Sequence, residues 1–323
     1  AGVAPESIIF AGVGKSRTEI AFALQSGVTH FNVESEPELE ALSEVAAARG
    51  TTARIALRVN PDVDPKTHAK IAMVVRREPD GIRRYCHIGS GNYNSKTARI
   101  YEDVGLLTAA PDIGADLTQL FNYLTGYGRD VHYQTLLVSP HTTRSGLLEL
   151  VRNEIRMAES GAPAHITLKM NSLVDSEMID ALYAASQAGV DVDLVIRGIC
   201  CLIPGVPGLS ERIRVRSIVG RYLEHSRIYR FENGVGPAEP TFLIGSPDLM
   251  PRNLDRRVEA LVPVQDPDLQ DRLQEILDVN LADDTLAWIL GAEGTWQHVE
   301  RRGTTGTHER LQEIARQRVR RRA

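Results

Sequence analysis

No run of about eighteen apolar residues occurs in the sequence, which excludes a membrane-spanning helix. No charged and then apolar leader opens it either, so secretion is not expected. The chain begins AGVAPES, without a methionine, as a fragment would. Cysteine is scarce. Cys86, Cys200 and Cys201 have no metal-like spacing, and three thiols in 323 residues point to a reducing, cytoplasmic compartment. The adjacent pair in GICCLIPG reads as two small core thiols rather than a redox centre. A basic face is lacking too. Net charge is −5, and the last 23 residues hold eight arginines against two glutamates, so the rest of the chain carries −11. That distribution sets aside a general nucleic-acid binder, and no specific nucleic-acid partner is expected. The basic tail reads either as a solvated helix end, where cations are favoured, or as a holder of anions.

What is present is ordinary globular composition, 42% hydrophobic and 24% charged, at a length that suits two packed units. Residues 7 to 60 alternate strand and helix. SIIFAG, VTHFNVES and ARIALRVN read as strands, with helices over SRTEIAFALQSG (begun by Ser16, ended by Gly27) and EPELEALSEVAAARG (stopped by Gly50). This βαβαβ rhythm implies parallel pairing with right-handed crossovers. Strands HAKIAMVVRR and RRYCHIGS follow, joined by a turn at EPDG, and then the helix DIGADLTQLFNYLTGY. The Gly-rich TGYGRD at 125–130 is the best boundary candidate. A second α/β run starts at YQTLLVSP and continues through helix 143–160, strand HITLKMNSL, helix DSEMIDALYAASQAG and strand VDVDLVIRG. Strands around RVRSIVG, RIYRFE, TFLIGS and RRVEALVPV and two final helices complete it. The class is α/β, with mixed sheets in the second unit.

FAGVGKS resembles the end of a phosphate-binding loop, but that motif needs a glycine five residues before Gly14, where Ile9 stands. A plain strand-to-helix turn is the better reading.

The informative feature is an internal repeat. One copy is His68-x-Lys70 followed by Gly89-Ser90-x-Asn92; the other is His225-x-Arg227 followed by Gly245-Ser246-x-Asp248. From histidine to glycine the gaps are 21 and 20 residues. A lone His-x-Lys on a strand is most often surface decoration, and two such histidines can be core residues satisfied by hydrogen bonds. Two copies at matched spacing favour chemistry. On a strand, residues i and i+2 share a face, so each histidine projects with its cation. An imidazole nitrogen can attack phosphorus while the cation stabilises the non-bridging oxygens. The Gly-Ser-x-Asn/Asp turns offer N–H groups and short polar side chains to the same phosphate. The two halves are expected to face each other in one cleft.

This constellation resembles the phospholipase D superfamily. The segments KTHAKIAMVVRRE, RRYCHIGSGNYNSKTARIYEDVGLLTA, ITLKMNSLVDSEMIDALYAAS, VIRGICCLIPG, SIVGRYLEHSRIYRFENG and GSPDLMPRNLDRRVE look like polyphosphate kinase of the long, histidine-phosphorylated type, from about residue 66 onward. The resemblance implies two phospholipase D-like α/β units with mixed sheets, flanked by helices. It implies transfer of the ATP γ-phosphate to polyphosphate through a phosphohistidine, with magnesium accompanying ATP. His68 stands at the family's phosphorylated position. Tyr101, Arg197 and His225 match its nucleotide-contacting positions, with His225 either protonating the leaving oxygen or positioning the triphosphate. Lys70, Arg227, His87 and Asn92 are the expected phosphate-binding residues; metal ligands are not assigned.

The first 65 or so residues instead look like diaminopimelate decarboxylase, in GKSRTEIAFALQSGVTHFNVESEPELEALSEVAAARG and ARIALRVNPDVDPKTH. Both families permit KTH, so the chain resembles a fusion with its seam within residues 62–68. That family's cofactor lysine, phosphate loop and substrate cysteine fall outside the fragment, so pyridoxal phosphate is not expected. The division is then 1–65, a decarboxylase-like βαβαβ piece of barrel-enzyme type completing the first unit; 66–130, the remainder of the first catalytic domain; and 131–323, the second. The kinase family's upstream arginines near metal and phosphates are missing. The favoured function is a polyphosphate-kinase-like phosphotransferase using ATP/ADP and polyphosphate. Alternatives are a phosphodiesterase of the phospholipase D type and an inert fusion that at most binds polyanions. Oligomeric state stays open, a homo-oligomer included.

Overall fold

The computed structural model describes residues 5, 9–10, 15–33, 36–57, 68–79, 81–125, 131–234, 240–303 and 306–322. The expected seam therefore lies, apart from His68, outside the described residues, as do 11–14 of the FAGVGKS turn and 126–130 of the Gly-rich break.

The N-terminal piece follows its predicted rhythm: β1 (Ile9–Phe10), α1 (Arg17–Gln25), β2 (His30–Val33), α2 (Glu36–Ala48) and β3 (Arg54–Leu57). The three strands pair in parallel in the order β1-β2-β3. Ser16 starts α1 through a capping box: its hydroxyl accepts from the Glu19 amide, and the Glu19 carboxylate accepts from the Ser16 amide. Ile20, Phe31, Val33 and Leu42 form this piece's own small core.

Next come β4 (Lys70–Glu78), β5 (Gly81–Gly89), β6 (Tyr101–Glu102), β7 (Gly105–Thr108) and α3 (Pro111–Leu124). β4, β5 and β7 make an antiparallel sheet, while β6 pairs elsewhere. Beyond residue 131 the elements are β8 (Leu137–Ser139), α4 (Thr143–Glu159), β9 (His165–Met170), α5 (Ser176–Gln187), β10 (Asp191–Ile196), β11 (Ile213–Ile218), β12 (Leu223–Glu224), β13 (Ile228–Phe231), β14 (Thr241–Gly245), β15 (Glu259–Pro263), α6 (Pro267–Leu281), β16 (Ala287–Leu290), β17 (Trp296–His298) and α7 (Thr307–Arg322). Nine of these strands form one mixed sheet, in the order β17-β16-β11-β10-β9-β13-β14-β15-β8. Its β9-β10-β11 centre is parallel; β13, β14 and β15 run antiparallel.

The central strands are buried on both faces, which explains their near-continuous apolar text. Tyr229, Phe231 and Leu243 point to one face, against α4 and α5 through Leu147, Val151, Met178 and Leu182. Ile228, Phe242 and Ile244 point to the other, where they meet Cys86 and Ile88 of β5 and Ile113, Leu117 and Leu120 of α3. The chain before the Gly-rich break and the chain after it thus share one core. β6, β12 and the β16–β17 hairpin were not legible in the sequence, because two- to four-residue strands carry too little periodicity to register. Among the described residues, no helix is long and apolar enough to cross a membrane.

Asp116, 1% exposed on α3, is a hub of this arrangement. Its carboxylate accepts from the amides of Gln134 (3.1 Å), Thr135 (2.7 Å) and Leu136 (2.9 Å), which seats the chain as it enters β8. Replacing it leaves three amides without their acceptor. Asp116→Ala is expected to cost about 3 kcal/mol and Asp116→Asn less, read as a lowered urea midpoint at unchanged slope.

Candidate active site

The two His-x-cation copies meet at the junction of β6, β12 and β13. Neither histidine lies within a strand: His68 precedes β4 by two residues, and His225 sits between β12 and β13. Their placement relies on backbone clamps instead. The amides of His68 and Ala69 both donate to the carbonyl of Val258 at 2.9 Å, and the His225 amide donates to the Glu102 carbonyl at 3.2 Å. In both copies the cation turns back on its own histidine. Lys70 Nζ donates to the His68 carbonyl, and Arg227 Nη1 to the His225 carbonyl at 2.9 Å. The simple alternation argument is thereby corrected: a cation two residues on reaches back along the backbone, and the pairing does not need both residues in one strand.

Arg227 ties the halves together. Its Nε and Nη2 grip Asp248 at 3.2 and 3.1 Å, while Nη1 reaches His225 Nδ1 at 2.9 Å and the Ser90 carbonyl of the first copy at 3.1 Å. Asp248 also accepts from the Asn171 amide at 2.7 Å, and Asn171 Oδ1 accepts from Arg197 Nε at 2.6 Å. Tyr101 lies flat on the His225 ring, with centroids 4.3 Å apart and planes 16° apart. Its hydroxyl accepts from the Asn92 amide and donates to the Asn92 carbonyl.

The Gly-Ser pairs are structural staples. The Ser90 amide donates to the Val104 carbonyl at 2.9 Å and the Val104 amide donates to the Ser90 hydroxyl at 3.1 Å; Ser246 does the same with Ala260 at 3.1 and 3.2 Å. Each partner is 14 residues on, so the repeat extends past its motif. The glycines allow this close approach. A Cβ on Gly245 would lie 2.0 Å from the Ala260 carbonyl oxygen, and one on Gly89 would lie 3.3 Å from that of Val104. Both serines are at most 1% exposed, so their hydroxyls serve the backbone and not a ligand, against expectation.

Cations dominate the electrostatics. Burial first, and then Arg227, Arg197 and Lys70, push the His225 imidazole down to about 3. The ring is therefore neutral at pH 7. Because Arg227 donates to Nδ1, the proton sits on Nε2. Burial and Arg227 lower Lys70 as well, against the pull of Glu259 and Asp248. Lys70 acts on His225, and Arg227 and Asp248 act on Lys70, so the two copies converge on one charged cluster.

Of the expected site residues, Lys70, Tyr101, Arg197, His225 and Arg227 are brought together. His68 is joined to the cluster through the carbonyl that holds Lys70. His87 is not. It pairs across β5 with Ala72 and Leu107, its Nδ1 lies 2.6 Å from the Tyr93 hydroxyl, and no hydrogen bond joins it to Arg227 or His225. Asn92 contributes backbone atoms while its side chain is exposed. Sequence reasoning missed Asn171, Glu102, Lys169, Glu224, Ser226 and His308. The one available signal was Lys169, a lysine inside the apolar strand HITLKM, since lysine is rarely buried unless paired. A cavity of about 720 Å³ between α4 and β14, lined by Glu149, Asn153, Arg156, Asn233 and Thr241, contains none of this chemistry.

In the N-terminal piece, Lys15 is the single lysine of residues 1–65. Its ammonium donates to the Asn32 carbonyl at 2.6 Å and lies 6.0 Å over the Phe10 ring.

Comparison with known proteins places these observations. Residues 136–310 match the family model for polyphosphate kinase C-terminal domain 2, and residues 53–130 that for C-terminal domain 1. Residues 1–78 match the pyridoxal binding domain of pyridoxal-dependent decarboxylases. The chain is 59% identical to the polyphosphate kinase of Mycobacterium avium over 74% of its own length and 32% of that protein's. To the polyphosphate kinase of Thermosynechococcus vestitus it is 54% identical, over 76% and 33%. It thus spans about a third of the length of these curated relatives. The solved polyphosphate kinase of Porphyromonas gingivalis superposes with a TM-score of 0.74 at 31% identity, covering 96% of this chain and 48% of that one.

The depressed His225 has a consequence for stability. Between about 3 and its ordinary value of 6.5, the unfolded chain binds a proton here that the folded chain does not. The contribution is full above pH 6.5 and is lost as pH falls toward 3. Thermal midpoints should therefore drop on acidification from pH 6.5, and His225→Gln should flatten that drop between pH 6.5 and 4.5. An equally steep profile in the variant contradicts this.

Proposed function

Because the chain belongs to the polyphosphate kinase C-terminal domain family, we propose that it carries out phosphoryl transfer between ATP and polyphosphate through a phosphohistidine at His68. A lone pair of the His68 imidazole forms the N–P bond as the γ-phosphorus parts from its bridging oxygen, and ADP leaves with that electron pair. A terminal polyphosphate oxygen then attacks the same phosphorus, and the N–P electrons return to the ring. Magnesium enters with ATP as part of the substrate.

The observation that carries this reading is the convergence of both His-x-cation copies on one cluster in which Lys70, Arg197 and Arg227 face Asp248 and Glu259. Three cations against two buried carboxylates leave a site that favours a polyanion. Arg197 reaches it from the end of β10 and supplies a planar fork suited to phosphate oxygens. His225, neutral with its proton on Nε2, is better suited to donate a hydrogen bond to the triphosphate than to release a proton. Negative charge arriving with substrate shifts it toward the acid role. Tyr101 fixes that ring by stacking and leaves its edge for the nucleotide.

The proposed division is 1–65 as a decarboxylase-like piece without bound pyridoxal phosphate, 66–130 as the remainder of one catalytic domain, and 131–323 as the second. The three free thiols, with Cys86 and Cys200 raised by burial and Cys200 reaching about 11, suit a reducing cytoplasm.

ATP labelled on its γ-phosphate should label the chain at His68 with an acid-labile, base-stable bond. His68→Ala should abolish the label, and His225→Ala should slow it about 10²–10⁴-fold. Label that persists in His68→Ala overturns the assignment. A cooperatively unfolding chain that takes no label favours the inert fusion.

Added pyridoxal phosphate should give no borohydride-trapped adduct at Lys15 beyond that of an unfolded control. A stoichiometric adduct there reinstates cofactor chemistry for the N-terminal piece.

A further inference from the structure

Beneath His225 runs a chain of buried charges that the phosphoryl-transfer reading does not use. Lys169, 1% exposed in the middle of β9, directs its ammonium to Glu102 at 2.9 Å, to Glu224 and to the Ser226 hydroxyl at 2.7 Å. Glu102 Oε1 also accepts from the His225 amide at 2.8 Å, the Ser226 amide at 3.1 Å and the Ser226 hydroxyl at 2.9 Å. The other oxygen of Glu224 receives His308 Nε2 at 2.6 Å. His308 is the second residue of α7, 5% exposed, and its Nδ1 accepts from the Tyr222 amide at 3.3 Å, which places its ring proton on the nitrogen facing Glu224. Gly220 packs so tightly on this ring that a Cβ there would stand 2.8 Å from Nδ1.

Burying two carboxylates and one ammonium is expensive unless every lone pair is matched. Here the partners come from four separate elements: β6, β9, the β12–β13 segment and α7. Burial alone would raise Glu102, but Lys169 and the amides of Ser226 and His225 outweigh it and bring its carboxyl down to about 2. The same carboxylates hold Lys169 charged against its own burial. The network's direct hydrogen bond toward the site goes to the backbone of His225, the residue whose ring is stacked under Tyr101, the immediate neighbour of Glu102.

We propose that Glu102, held by Lys169, Glu224 and His308, is a positioning residue for His225, so that the first turn of the C-terminal helix α7 governs how the site histidine is presented. Its meaning for catalysis rests on the phosphoryl-transfer reading; its structural content does not. His225 is faced by Arg227 on its own segment, Arg197 from the end of β10, Lys70 from β4, Asp248 after β14 and Glu102 from β6. Among the described residues no hydrogen bond joins His308 to the His225 ring; the side-chain route between them runs through Glu224, Lys169 and Glu102, beside the shorter backbone route from Tyr222 along β12.

The test is histidine-selective ¹⁵N NMR of the full chain, with His225 assigned by its loss in His225→Gln. In the unmodified chain the ring should stay neutral with its proton on Nε2 down to about pH 5. In His308→Ala the ring loses its fixed seat among the cations and gains water, so its midpoint should rise by about one unit or more. His308→Gln, whose amide can still donate to Glu224, should restore most of the shift. Ser226→Ala, which removes one hydroxyl shared by Lys169 and Glu102, should move the midpoint in the same direction by less; it decides the matter where His308→Ala fails to fold. A folded His308→Ala or Ser226→Ala with the His225 titration unchanged overturns the proposal. γ-Phosphate labelling on the same samples separates the two claims. Absent label with a shifted midpoint sinks the reaction and keeps the relay, whereas normal label with an unshifted midpoint does the reverse.

Discussion

Arg227 holds the candidate site together, because one guanidinium addresses both halves of it. Two of its nitrogens are committed to Asp248, and the third spans His225 and the Ser90 carbonyl of the other copy. A lysine could not do this: a point charge has no fork to hold a carboxylate side-on and still aim a donor in a third direction. The copies differ accordingly: Lys70 makes one short reach, to its own histidine's carbonyl, where Arg227 makes several.

The repeat was legible because its two halves obey the same local constraints, and those constraints act on residue type. Gly89 and Gly245 must be glycine for a backbone to pass close by, and Ser90 and Ser246 must be small hydroxyl residues to staple the strand 14 residues on. What sequence reasoning misjudged was their purpose, since a Gly-Ser turn reads alike whether its groups face a phosphate or a neighbouring strand. His87 failed for a related reason. Its proximity in sequence to Gly89 and Ser90 suggested a shared site, but a strand places successive residues on opposite faces, and Cys86 and Ile88 on either side of it turn toward the shared core. The relay of Lys169, Glu224 and His308 was out of reach, because its members are separated by 55 residues or more in the chain. Nothing local marks such a pairing except one lysine where an apolar residue belongs.

Burial first, and then the three cations around it, keep the His225 ring neutral. Binding and proton affinity are thereby coupled: each negative charge that arrives offsets the cations and makes the imidazole more basic. The stacked Tyr101 and the Arg227 bond to Nδ1 leave the ring little freedom to escape the coupling by rotating.

The N-terminal piece stands outside this electrostatic arrangement. Its three strands and two helices close over a core of their own, Ile20, Phe31, Val33 and Leu42 among them. Among the described residues, the charges that act most on His225, namely Arg227, Arg197, Lys70 and Asp248, all follow residue 68. The structural match to a solved polyphosphate kinase nevertheless extends over 96% of the chain, so the piece occupies a layer of similar shape. Shape and charge thus part company at the seam. A βαβαβ segment from one α/β family can stand in for another because both obey the same rules of strand twist and right-handed crossover. Those rules fix where backbone goes and say nothing about which side chains it carries.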